Sequence, residues 1–190
     1  MSLSIVKKIL EEIEGASSEI VNLTSKLVQF PTVSPRGNTK ECVDFIKSYM
    51  DNAGIETTIY ERREGKSNIC ARIRGVSDSN VLWLGHLDVV PEGSFSEWTH
   101  NPYGGEVVGD RVYGRGASDD KGSCASAMVA ANILSGVNKN QRCNAEFWFT
   151  CDEEVGAVDG ARWLAEERKF HGDACIIGDG DAVGSLPEKI

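Results

Sequence analysis

With 190 residues, 41% of them hydrophobic and 26% charged, the chain has the balance of an ordinary globular protein and enough apolar material to bury a core, which excludes a disordered or fibrous chain. A formal net charge of −9 disfavours a sequence-independent grip on nucleic acid or on an anionic membrane surface, so small molecules or proteins are the expected partners. No apolar run approaches the roughly 20 residues that span a bilayer. The charged, helix-patterned start MSLSIVKKILEEIEG does not look like a signal sequence, and six cysteines without a C-x-x-C pair fit buried free thiols, so a soluble, cytoplasmic protein is expected.

Apolar residues recur at helical spacing from Ile5 to Gln29 and break near Gly15, which predicts two opening helices. FPTVSPRGNT is a loop by its prolines and glycine, and Asn38 or Thr39 is placed to cap a helix running through Met50. Ile55 to Arg62, Asn68 to Arg74 and the short apolar run Asn80 to Leu84 read as strands. Val107 to Tyr113 alternates across Gly109-Asp110 as a hairpin does, and Ser123 to Leu134 reads as a buried helix. Ala145 to Thr150 is a strand, Gly160 to Lys169 a helix and Ala174 to Ile177 a last strand. Strands alternating with helices predict an α/β fold with a largely parallel central sheet flanked by helices.

Ligand-collecting residues in such sheets lie at the carboxyl ends of strands. The first candidate is the apolar strand Val81 to Leu84 followed by Gly85-His86-Leu87-Asp88. A neutral imidazole is a common zinc ligand and usually hands its other ring N–H to a carboxylate that fixes the tautomer. Taken alone the H-x-D pair is weak, and a structural histidine explains it better. Next comes Tyr113-Gly114-Arg115-Gly116-Ala117-Ser118-Asp119-Asp120-Lys121-Gly122, leaving the hairpin for a helix. A helix-capping aspartate accounts for one carboxylate there but not for Gly114 and Gly116, which let the backbone approach something closely. No G-x-x-x-x-G-K-[ST] phosphate loop is present.

Third is Asp152-Glu153-Glu154, three adjacent like charges at a strand mouth, an arrangement that is costly unless a cation or solvent offsets it. Adjacent glutamates can divide labour, one holding a metal while the other moves a proton. Asp179 follows the last strand in the run Gly178-Asp179-Gly180-Asp181. Each cluster is weak alone, and their joint placement at strand ends is the signal. Oxygen ligands with one or two histidines suit zinc, or cobalt and manganese, better than a thiolate site would.

The motifs GHLDVVP (Gly85 to Pro91), the W-x-x-x-P-Y segment from Trp98 to Tyr103, VYGRGASDDKG (Val112 to Gly122) and DEEVG (Asp152 to Gly156), in this order, resemble the dinuclear zinc peptidase and deacylase family. That family includes acetylornithine deacetylase, succinyl-diaminopimelate desuccinylase, aminoacylase, glutamate carboxypeptidase and carnosinase-type dipeptidases. The resemblance implies two zinc ions per intact subunit. His86 and Asp179 would hold the first, Asp119 would bridge both and Glu154 would hold the other. It further implies that Asp88 orients His86, that Glu153 is the general base and then the general acid in hydrolysis of an amide, and that the Asp119–Asp120 peptide is cis.

Asp179-Gly180 stands where many deacylases of the family carry Glu-Pro, and Asp there is closer to the dipeptidases. The family's second histidine near the carboxyl terminus and its inserted lid, which mediates homodimerisation, have no counterpart in residues 1–190. The expectation is therefore the amino-terminal portion of a catalytic domain, inactive by itself and with an uncovered core edge prone to self-association. The intact form is expected to cleave N-acyl amino acids or small peptides. A metal-binding scaffold module is the alternative. His100 and His171 are expected to be surface residues.

Overall fold

The computed structural model describes residues 3–137 and 141–179. Helices α1 (Leu3–Gly15) and α2 (Ser17–Val28) meet at Ala16, and α3 (Lys40–Asn52) follows the proline-containing loop. Thr39 stands at the cap position of α3 without a capping side-chain bond, and the first helical N–H is satisfied from Asn38 instead. Its Oδ1 accepts the Lys40 N–H at 2.7 Å, while the Thr39 hydroxyl donates to the Ser67 carbonyl at 2.8 Å. Strands β1 (Glu56–Glu61), β2 (Ser67–Ile73) and β3 (Asn80–His86) come next, then the hairpin β4 (Glu106–Val108) and β5 (Arg111–Tyr113). Helix α4 (Lys121–Val137), strand β6 (Asn144–Thr150), helix α5 (Ala161–Glu166) and strand β7 (Ala174–Ile177) complete the described chain.

The main sheet has the order β1-β2-β6-β3-β7. β3 runs parallel to both β6 and β7, whereas β2 is antiparallel to β1 and to β6, so the sheet is mixed. The connection explains the antiparallel edge. Residues 62–66 join β1 to β2, far fewer than the dozen or more that a parallel crossover needs. Helix α4 lies within the long β3-to-β6 connection and permits the parallel pairing there.

Alternation along the strands separates two apolar faces. Ile69, Ala71, Phe147 and Phe149 pack with Leu27, Ile46 and Met128 of the helical layer. Cys70, Leu82 and Trp148 point the other way, against Leu164 of α5. Trp148 stacks on Tyr60 and meets Phe170 edge-on, and its indole N–H donates to Glu146 at 2.9 Å. Glu146 is almost fully buried, and Arg72 balances it at 2.8 Å from Nε. Cys42, Cys70, Cys124 and Cys151 are buried free thiols, while Cys143 is partly exposed and Cys175 exposed. No described helix is long and apolar enough to cross a membrane.

β7 is the exception to this packing. Among the described residues it pairs with β3 alone, and Ile176 and Ile177 are 58% and 65% exposed. Beside it lies an apolar groove of about 820 Å³ lined by Val81, Trp83, Ala127, Phe147 and Ile176. A bare strand edge with an apolar flank is a template for association. The isolated chain is expected to show concentration-dependent oligomers in sedimentation velocity. Ile176→Asp should shift it toward monomer, and a monodisperse wild-type monomer at high concentration would count against this. On the opposite face, Leu164→Ala should lower unfolding free energy by about 2–5 kcal/mol in urea titration, since this fully buried side chain anchors α5.

Candidate metal centre

His86 closes β3, and its backbone is held on three sides. Its N–H donates to Asp120 Oδ2 at 3.0 Å, its carbonyl accepts from Cys124 Sγ at 3.2 Å, and the next residue, Leu87, donates to the Thr150 carbonyl at 2.8 Å. Gly85 has no room for a side chain, because a Cβ there would run into the Asp120 carboxylate and the Trp83 ring. The imidazole is 2% exposed. Its Nδ1 lies 3.0 Å from the Asp88 carbonyl oxygen and 3.6 Å from Asp88 Oδ1, so the main chain of Asp88 makes the closer approach. Its Nε2 lies 2.9 Å from Asp119 Oδ1.

Asp119 arrives from the turn that starts α4. The hairpin before it forms a separate two-stranded sheet, so this carboxylate does not sit at a strand end of the main sheet as the sequence suggested. The Asp119–Asp120 peptide is cis, as the resemblance implied. Asp119 faces His86 while Asp120 is buried beneath the His86 amide. Lys121 is fully buried and donates from Nζ to the Phe30 carbonyl at 2.6 Å. Gly116, at φ +86°, packs its backbone against Val89 and Lys121, so its freedom serves a contact within the chain itself.

Asp179 follows β7, whose pairing with β3 is extended by the Gly178 N–H donating to the Leu84 carbonyl at 2.7 Å. One donor atom from each of His86, Asp119 and Asp179 falls within 4.8 Å of the others. An ion with bonds of about 2.0–2.2 Å spans such a set after small side-chain movement. The donor chemistry, one imidazole nitrogen and two carboxylates, fits zinc, cobalt or manganese.

The three acidic residues after β6 separate. Asp152 adopts a left-handed backbone at φ +51°, is buried, and accepts the Asp159 N–H at 3.0 Å. Glu153 is exposed and Glu154 half-buried, both in the short 3-10 turn Glu153–Val155. Their N–H groups donate to Asp88, Glu153 to Oδ1 at 2.9 Å and Glu154 to Oδ2 at 3.3 Å. Asn68, fully buried on β2, holds the same loop. Its Oδ1 accepts the Cys151 N–H at 2.9 Å and its Nδ2 donates to the Asp159 carbonyl at 3.0 Å.

Asn68, Ser34, Asp120 and Cys124 escaped the sequence reading as site residues. An asparagine inside the apolar run of β2 was the available signal for the first, since asparagine is depleted in strands. His100 and His171 lie outside the cluster. The first pairs with Glu106 at 2.8 Å and packs on Tyr113, and the second is exposed. Trp98 donates to the Glu92 carbonyl at 2.8 Å and carries Arg115 over its ring, so that motif braces the loop after Asp88.

Burial opposes a charge on His86, but the close approach of Asp88 and the charges of Asp88, Asp120 and Asp119 outweigh it and raise its pKa to about 10. Burial raises the Asp120 carboxyl to about 6 against the opposing His86 amide. Burial and the neighbouring Asp119 also raise Glu154. Asp88 moves the other way. Burial is overcome by His86, Ser34 and the Glu153 amide, which hold it below the usual carboxylate range. The field is strongly negative at His86 and is what a divalent cation would neutralise.

Acidic residues and one histidine gathered beside the carboxyl ends of parallel strands define an α/β domain with a candidate metal centre. The chain belongs to Peptidase family M20/M25/M40, whose sequence profile it matches over residues 82–187. It is 33% identical over 171 residues to succinyl-diaminopimelate desuccinylase of Xanthobacter autotrophicus, covering 85% of this chain and 44% of that protein. The enzyme of the same name from Dechloromonas aromatica is 30% identical over 177 residues, covering 92% of this chain and 46% of that protein. The chain thus spans less than half the length of these curated relatives.

Among solved structures, a di-peptidase from Saccharomyces cerevisiae superposes with a TM-score of 0.77 at 22% identity, over 95% of this chain and 42% of that one. An M20 family metallo-carboxypeptidase from Sulfolobus solfataricus does so at 0.73 and 23% identity, over 85% and 37%. At these identities the likeness shows the fold alone.

Asn68→Ala would leave the buried Cys151 N–H without its acceptor. It should cost about 1–3 kcal/mol in urea unfolding and speed proteolysis within residues 153–158, measured by limited digestion.

Proposed function

We propose that this chain is the amino-terminal portion of the catalytic domain of a zinc-dependent hydrolase that cleaves the amide bond of N-acyl amino acids. The observation that carries the reading is the convergence of His86, Asp119 and Asp179 within 4.8 Å, with the Glu153–Glu154 turn fastened to the same His86–Asp88 segment. The desuccinylase relatives support the deacylase class. Asp179, where deacylases of the family commonly have glutamate, favours a dipeptidase or carboxypeptidase as the second reading.

His86, Asp119 and Asp179 would hold one ion, and Asp119 with Glu154 would contribute to a second. Bound there, the metal supplies Lewis-acid polarisation of the scissile carbonyl and a lowered pKa for water. Glu153 is exposed beside the cluster, free to take the proton of the attacking water and to return it to the leaving amine. The buried Asp88 and Asp120 hold the His86 ring and backbone rather than touch substrate. Asp119 and Glu154 by themselves would leave a second ion short of ligands, so this chain is expected to bind one ion without turnover. Free thiols fit a cytoplasmic, reducing compartment.

Isothermal titration of zinc into the chain should give one site of micromolar affinity or tighter that is lost in His86→Ala. Absence of any binding heat in the wild type would sink the reading. In the intact protein, Glu153→Gln should cut kcat on an N-acyl amino acid by about 10²–10⁴-fold while metal content, measured by atomic emission, stays at the wild-type value.

A further inference from the structure

Three segments distant in sequence meet at the Asp88 carboxylate. It is fully buried, and its oxygens accept from Ser34 Oγ at 2.5 Å, the Glu153 N–H at 2.9 Å and the Glu154 N–H at 3.3 Å. Two of these donors are backbone groups and His86 Nδ1 stands 3.6 Å off, so among the described residues Ser34 is the side-chain donor within hydrogen-bond distance that a substitution can remove. A hydroxyl donating to an ionised carboxylate in a dry site is roughly twice as strong as a neutral hydrogen bond.

Ser34 is itself 3% exposed and fixed in register. Val33 and Val89 form a parallel bridge. The Ser34 N–H donates to the Val89 carbonyl at 2.9 Å, the Val89 N–H to the Thr32 carbonyl at 3.1 Å, and the Thr32 hydroxyl to the Leu87 carbonyl at 2.6 Å. Lys121 ties the other end of this strap to the start of α4 through the Phe30 carbonyl. Residues 30–34 therefore touch the segment after β3 and the helix that follows Asp119, and reach the Glu153–Glu154 turn through Asp88.

We propose that Ser34 is a positioning residue: by fixing the Asp88 carboxylate it sets the spacing between His86 on one side and the Glu153–Glu154 turn on the other. Without the hydroxyl, Oδ2 keeps only its longest bond, the one from Glu154. The carboxylate is then free to rotate toward His86 Nδ1, from which Oδ1 now stands 3.6 Å away. The two glutamate amides then lose their common acceptor. The functional consequence rests on the proposed metal-centre reading, whereas the positioning itself does not.

Two measurements on Ser34→Ala separate them. In metal-free protein, hydrogen exchange followed by ¹⁵N NMR should show the Glu153 and Glu154 amides exchanging ten-fold faster or more, with Phe147 and Phe149 on β6 unchanged. Wild-type exchange at both glutamates overturns the proposal whether or not any metal binds. Cobalt titration should show affinity lowered by about 10–100-fold with an altered visible absorption band, and Ser34→Thr should restore both. If the wild type takes up no cobalt, the metal-centre reading fails while the exchange result still decides the role of Ser34. Should Ser34→Ala not fold, Ser34→Cys, a weaker donor, should show intermediate exchange, and wild-type rates there overturn the proposal equally.

Discussion

The parallel pairing of β3 with β6 is the constraint on which the site depends. In this register His86 stands opposite Thr150, so the end of one strand and the acidic turn after the other emerge side by side. Side chains alternate along a strand, so His86 shares the face of Leu82 and Leu84, and a slip of one residue would turn the imidazole toward the helical layer. The slip is opposed at several points, because Trp83 would leave the helical core and Leu82 and Leu84 the cluster on the other face. The apolar core therefore enforces the chemical geometry.

Buried charge sets the second condition. Asp88, Asp120 and Asp152 are all withdrawn from water, and each is answered by backbone N–H groups of a neighbouring segment. These carboxylates work as connectors: one joins the β3 end to the acidic turn, one joins α4 to His86, and one closes the 151–160 loop on itself. Asp119, Glu153 and Asp179 remain exposed. The buried acids organise the backbone, and in the proposed function the exposed ones are left for an ion or a substrate.

Much of this was legible in the sequence wherever local pattern and tertiary outcome agree. Apolar strands of the right length, a hairpin at Gly109-Asp110 and an alanine-rich buried helix all form close to where periodicity puts them. The direction of β1 and β2 was not legible from their composition and follows from the short link between them. Within the site, His86 and Asp179 stood out because they follow apolar runs, and Asp119 because it lies between a glycine pair and the start of a helix. Asn68, Ser34 and Cys124 gave no such contrast. Their importance comes from partners 83, 54 and 38 positions away, and no local window contains both members of such a pair.

β7 has only four residues, is held through β3 alone among the described strands, and yet delivers Asp179 to the cluster. A ligand carried on so lightly attached a strand couples ion occupancy to strand docking. In the proposed metal centre the ion acts as a staple between the last strand and the rest of the sheet, and by linkage whatever secures β7 tightens the ion to the same degree that the ion secures β7.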